Sequence, residues 1–62
     1  MDVWLYEGAK GPYALTRDEE GANLPLDLGP WTRSQSVTLS HDTFDEREAI
    51  TLIKTHGYCC FD

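Results

Sequence analysis

Basic residues are scarce in this chain. Five lysines and arginines (Lys10, Arg17, Arg33, Arg47, Lys54) stand against eleven acids in 62 residues, for a formal charge of −6. The five are scattered, whereas contact with a phosphate backbone needs them clustered. Direct binding to nucleic acid or to an anionic membrane surface is therefore not expected. No apolar run approaches the roughly 20 residues that span a bilayer. The opening MDVWLYEG has neither a basic region nor a cleavable apolar segment, so no signal peptide is read there, and a cytoplasmic location is expected. Only two cysteines occur, adjacent in THGYCCFD, and in a reducing compartment they would be thiols. Length is short as well. A domain of this size buries only about 60% of the surface its unfolded chain exposes. It has little material for the walls of an enzyme pocket of about 300–1,000 Å³. Residues 1–62 are read as one small globular domain without catalytic activity.

What remains is a globular composition, 40% hydrophobic and 11% aromatic. Asp2 to Glu7 carries apolar groups on both alternating sets, Val3 and Leu5 on one and Trp4 and Tyr6 on the other. Such a strand is central, or keeps one aromatic face for a partner. Gly8 to Pro12 is a turn, and Tyr13 to Arg17 a second strand, giving a hairpin with a longer loop. Asp18 to Pro30 is the longest irregular stretch, with Leu24, Leu26 and Leu28 alternating in a way that suggests a flat lie on the core. Trp31 to Ser40 is a third strand. Its strict alternation puts Trp31, Val37 and Leu39 on one face, and Thr32, Ser34, Ser36 and Thr38 on a polar face that suits a sheet with one solvated side.

The helix signal is the clearest. Thr43-Phe44-Asp45-Glu46 fits a capping box, in which Glu46 reaches back to the cap amide. Asp45, Glu46 and Glu48 suit the positive end of the dipole, and Lys54 and His56 the negative end. Ala49, Ile50 and Ile53 form the apolar stripe with Leu52 on its flank, and Gly57 is a natural C-terminal cap. Tyr58 to Phe61 is a short last strand. The fold class is thus α+β: a four-stranded, mainly antiparallel sheet, in the order β-β-β-α-β along the chain, with one helix packed on one face. A right-handed crossover is expected if the strands flanking the helix are parallel.

Few residues suggest chemistry. Adjacent cysteines in a strand point to opposite faces and cannot close a normal disulfide. They lack the Cys-x-x-Cys spacing of a redox site. His56, Cys59 and Cys60, with His41, have the right ligand types for zinc but no recognised spacing. A metal or redox module is therefore a weaker alternative to a cysteine packed in the core. No cofactor is expected. Neither histidine has a nucleophile in a recognisable motif, and His56 is explained by the helix dipole. The stretch DEEGANLPLDLG, Asp18 to Gly29, lacks the alternating ligands of a calcium loop. The acids Asp42, Asp45, Glu46 and Glu48 are already explained by capping and solubility. Asp18, Glu19 and Glu20 have no such structural demand and are the better candidates for a contact surface. Trp4, Tyr6, Tyr13, Trp31 and Tyr58 either line a binding face or fill a core with few large residues.

These features describe a small acidic, non-catalytic protein-binding module. Its partner would be a protein with a basic surface. The binding residues would be Asp18, Glu19, Glu20 and Asp27 of the long loop, the helix-start acids Asp42, Asp45, Glu46 and Glu48, and Trp31. In size and charge, though in no motif, the chain resembles small acidic inhibitors of mobile elements, many anti-CRISPR proteins among them. That resemblance implies an inhibitor that mimics nucleic acid and blocks a basic channel. The other alternative is a structural homodimer or accessory subunit, since thin cores gain stability by oligomerising.

Overall fold

The computed structural model describes residues 1–61. Strands β1 (Asp2–Gly8), β2 (Tyr13–Thr16), β3 (Trp31–Thr38) and β4 (Tyr58–Phe61) form one sheet in the order β3-β1-β2-β4. A single helix, α1 (Phe44–His56), joins β3 to β4. The fold is α+β, with the strand and helix order read from the sequence. Each neighbouring pair is antiparallel. Directions therefore alternate across the sheet, β3 and β4 at its two edges run opposite ways, and the handedness rule for parallel crossovers does not arise.

β1 is central, paired on both sides, and both of its apolar faces are covered. Val3, at 1% exposure, lies in one core with Leu15, Leu39, Ile50 and Ile53. Tyr6, at 5%, lies in a second core with Ala14 and Leu24, against which Trp4, Trp31, Tyr58 and Cys60 pack. The sheet thus has no wholly solvated face. The helix covers one side and the Asp18–Pro30 segment the other.

Strict alternation fails in β3. The register against β1 shifts between Leu5, opposite Gln35, and Tyr6, opposite Arg33, so Ser34 is the extra residue of a bulge. A bulge reverses the alternation. Val37 therefore packs in the helix-side core, whereas Trp31 packs in the other, not on one face with Val37 and Leu39 as the even pattern suggested.

The long segment also departs from simple alternation. Leu24 is buried, but Leu26 is 91% exposed. The cause is a short 3-10 turn at Leu26–Leu28, which replaces the two-residue repeat with a three-residue one. Gly21 lies so close to Tyr6 that a Cβ would sit 2.8 Å from its ring, and its φ of +66° favours glycine independently. Polar groups finish the attachment. Tyr6 donates its phenolic hydrogen to the Glu19 carbonyl. Burial pushes the Tyr6 phenol up, with Arg33 opposing, so it keeps the proton it donates. Trp31 Nε1 donates to the Pro25 carbonyl at 2.7 Å.

At the fully buried Thr16, the hydroxyl donates to Asn23 Oδ1 at 2.9 Å and accepts from the Asp18 amide at 3.1 Å. Asn23 Nδ2 in turn donates to the Gly57 carbonyl at 2.8 Å. The loop is thereby fastened to the end of α1.

α1 begins as read. Thr43 is the N-cap, and its hydroxyl accepts from the Glu46 amide at 3.1 Å. The reciprocal arm differs. Glu46 Oε2 takes the Ser40 amide at 2.8 Å rather than the Thr43 amide, and Glu46 Oε1 accepts from the Thr43 hydroxyl at 3.1 Å, so the box closes on the cap's hydroxyl and on the incoming connection. Ile50 and Ile53 are the buried stripe. Gly57, at φ +93°, stops the helix and returns its amide to the Ile53 carbonyl.

Candidate functional site

The helix does not cover its whole side of the sheet. By register, Tyr13 and Phe61 are partners beyond the Leu15–Cys59 pair. Their rings stack at 5.7 Å between centroids, and they remain 36% and 44% exposed. Between this end of the sheet and α1 runs a groove of about 440 Å³. Leu15, Leu39, Ala49, Leu52, Cys59 and Phe61 supply its apolar surface. Asp45, Glu46 and Glu48 stand along it. The arrangement follows from helix spacing. Positions 45, 48, 49 and 52 fall at i, i+3, i+4 and i+7, on one side of α1. The acids of the first turns and the apolar residues that follow therefore line the same channel.

The electrostatics of the groove are anionic. The Ser40 amide, the Thr43 hydroxyl and the Ser40 hydroxyl hold the Glu46 carboxyl below the usual carboxylate range. Asp45 and Glu48 are exposed, and no described side chain pairs with either carboxylate. Asp42 lies just outside α1 and accepts from the Ser40 hydroxyl at 3.1 Å.

The loop acids stand elsewhere. The Asp18 carboxylate accepts the amides of Glu20 and Ala22, each at 3.0 Å, and so shapes its own turn. The expectation that this cluster answers no structural demand is thus wrong for Asp18. Glu19 pairs with Arg33 at 3.6 Å, and Arg33 lies 5.2 Å from the centre of the Trp4 ring. Asp27 is exposed in the 3-10 turn, where its carbonyl accepts from Lys10 Nζ. Trp31 packs into the loop-side core. The nine residues read as one binding surface therefore fall into two groups: Asp42, Asp45, Glu46 and Glu48 at the start of α1, and the rest on the segment covering the opposite side of the sheet and on β3. Phe61 was missed as a site residue. Its alternation with Cys59 put it on the groove side, but only the tertiary position of α1 leaves it uncovered.

The cysteines behave as adjacent strand residues should. Cys59 packs in the helix-side core and Cys60 in the other. Burial pushes both thiols up, with Glu48 adding to the effect on Cys59 and Cys59 to that on Cys60. Raised thiols are poor nucleophiles and poor metal ligands at neutral pH. His41 and His56 are exposed. Among the described residues, no three His, Cys, Asp or Glu side chains converge as metal ligands would. No described helix is long and apolar enough to cross a membrane. No family model matches the chain, nor does any curated protein or solved structure.

Proposed function

We propose that the chain is a small, non-catalytic protein-binding domain that occupies a basic surface of a partner, as an inhibitor of a nucleic-acid-handling protein would. The observation that carries this reading is the groove beside α1, where exposed carboxylates border an uncovered apolar floor. Charge gives such a surface its encounter rate and its choice of partner. The apolar floor and the Tyr13–Phe61 pair supply area that loses water on contact, the usual source of affinity. The start of α1 serves better than the long loop. Asp18 and Glu19 already have partners within the chain, whereas Asp45 and Glu48 have their charge free for another molecule. The net charge of −6 extends the attraction beyond the groove.

The test is retention of partners from lysate on the immobilised chain, read across a salt series. A basic, nucleic-acid-handling protein should be held at low salt. It should be released as the screening length shrinks from about 10 Å at 0.1 M to about 3 Å at 1 M. The double variant Asp45→Lys, Glu48→Lys should fail to hold it, and added duplex or single-stranded nucleic acid should compete for it. Retention that ignores salt and both substitutions would defeat the reading, as would retention of no basic protein at all.

A further inference from the structure

The sheet has two outer edges, β3 and β4, and they are unequal. β3 carries the bulge at Ser34 and shows Thr32, Arg33, Ser34, Gln35 and Ser36 to solvent. Polar side chains and a bulge are the devices by which natural edges resist a further strand. β4 has neither, and is guarded only by its short length of four residues. It is Tyr58-Cys59-Cys60-Phe61, without charge, proline or glycine, and its register with β2 is unbroken. Alternate residues of an edge strand turn their N–H and C=O groups away from the sheet. Among the described residues, no side chain and no backbone group outside the sheet bonds to β4. Cys59 and Phe61 of this strand are also part of the groove.

The geometry points to β4 as a strand-addition site, where an extended segment of the partner pairs with the free edge and carries lysine or arginine on alternate residues. This deepens the proposal of a basic partner and rests on it. The segment's composition follows from what its two sets of side chains would meet. One set faces the groove side, where an apolar floor is bordered by Asp45 and Glu48. A long basic side chain fits both parts, its aliphatic stem on the floor and its charged head at the carboxylates. The other set meets Cys60, beside Leu28, Pro12 and Lys10 in a shallow hollow; its apolar part suits valine or isoleucine, and Lys10 there disfavours a second basic side chain. A second copy of the chain is the poorer occupant. Each copy carries −6, and pairing through β4 would bring two acidic rims together.

The probe is a short synthetic peptide alternating valine and lysine, titrated into the full chain and followed by backbone amide shifts. Two controls are used: the same peptide with alternate backbone nitrogens methylated, and an isomer of the same composition ordered as an amphipathic helix. Shifts should concentrate at Tyr58–Phe61 and spare β3. Methylation, which removes the two main-chain hydrogen bonds that the peptide could donate to a four-residue edge, should weaken binding by about tenfold or more. Strand addition is overturned by equal binding of the methylated peptide, by tighter binding of the helical isomer, by shifts centred on β3, or by no binding. Failure of the two readings is separable. Loss of a retained basic protein on substituting Asp45 and Glu48, with no effect at the β4 amides, leaves the acidic binder standing and removes the strand.

Discussion

On one side of the sheet, Ile50 and Ile53 press from a helix onto Val3 and Leu15; on the other, Leu24 is held against Tyr6 and Ala14 by a segment with no regular repeat. The two coverings solve the same problem differently. A helix satisfies its backbone internally, so apolar contact is nearly all it needs from the sheet. An irregular segment has no such internal ladder, and its polar groups must find partners one by one. Here three short backbone turns close within the segment, and side chains supply further partners: Thr16 and Asp18 accept amides at one end, and the Trp31 indole donates to the Pro25 carbonyl farther along. None of the buried side-chain polar atoms among the described residues lacks a partner. The helix side is thus stabilised mainly by burial, and the loop side in large part by placed hydrogen bonds.

The contrast can be broken most forcefully at Ile53, which is 3% exposed. Ile53→Ala should cost about 2–5 kcal/mol. A core of this size rarely supplies more than about 3–5 kcal/mol, so the variant should be largely unfolded by circular dichroism at 25 °C. Next comes Thr16→Val, which keeps the shape and removes the hydroxyl. It strands the Asp18 amide and the Asn23 carbonyl oxygen, for an expected loss of about 1–3 kcal/mol in urea titrations. If that variant were as stable as the parent, burial alone would be holding the loop.

A smaller effect is tied to pH. Because the folded state lowers the Glu46 pKa from its ordinary 4.5, the carboxylate contributes stability above that value. The contribution fades as pH falls through the folded-state value. Glu46→Gln should therefore flatten the acid limb of the stability–pH curve, and the two proteins should converge at the lowest pH. Smallest of all is Glu19→Gln. The two side chains of the Arg33 pair are 49% and 61% exposed, and its removal should change stability by no more than about 0.5 kcal/mol.

The helix side was legible because its determinants are local. Thr43, the Ile50–Ile53 stripe and Gly57 lie within a few turns of chain, and each does what its position implies. The covering of both faces of β1 was legible too, since Val3 and Tyr6 belong to opposite alternating sets and each is buried. The loop side was hidden for specific reasons. The bulge at Ser34 carries no glycine to mark it, yet it decides which core receives Trp31. Thr16, Asn23 and Gly57 are ordinary polar or turn residues until tertiary structure brings them together. Of the candidate site, the acids of α1 could be named beforehand. Their apolar neighbours Leu15 and Phe61 could not be joined to them, because that adjacency depends on where the helix comes to rest.

The carbonyl of Gly57, where α1 stops, is also where Asn23 takes hold. One residue is thus shared by both coverings: its amide closes the helix on the Ile53 carbonyl while its carbonyl holds the loop, which couples peeling of the loop to fraying of the final turn. Amide exchange on the two sides should then proceed as a single opening event, a more unified behaviour than two unrelated layers on a thin sheet would show.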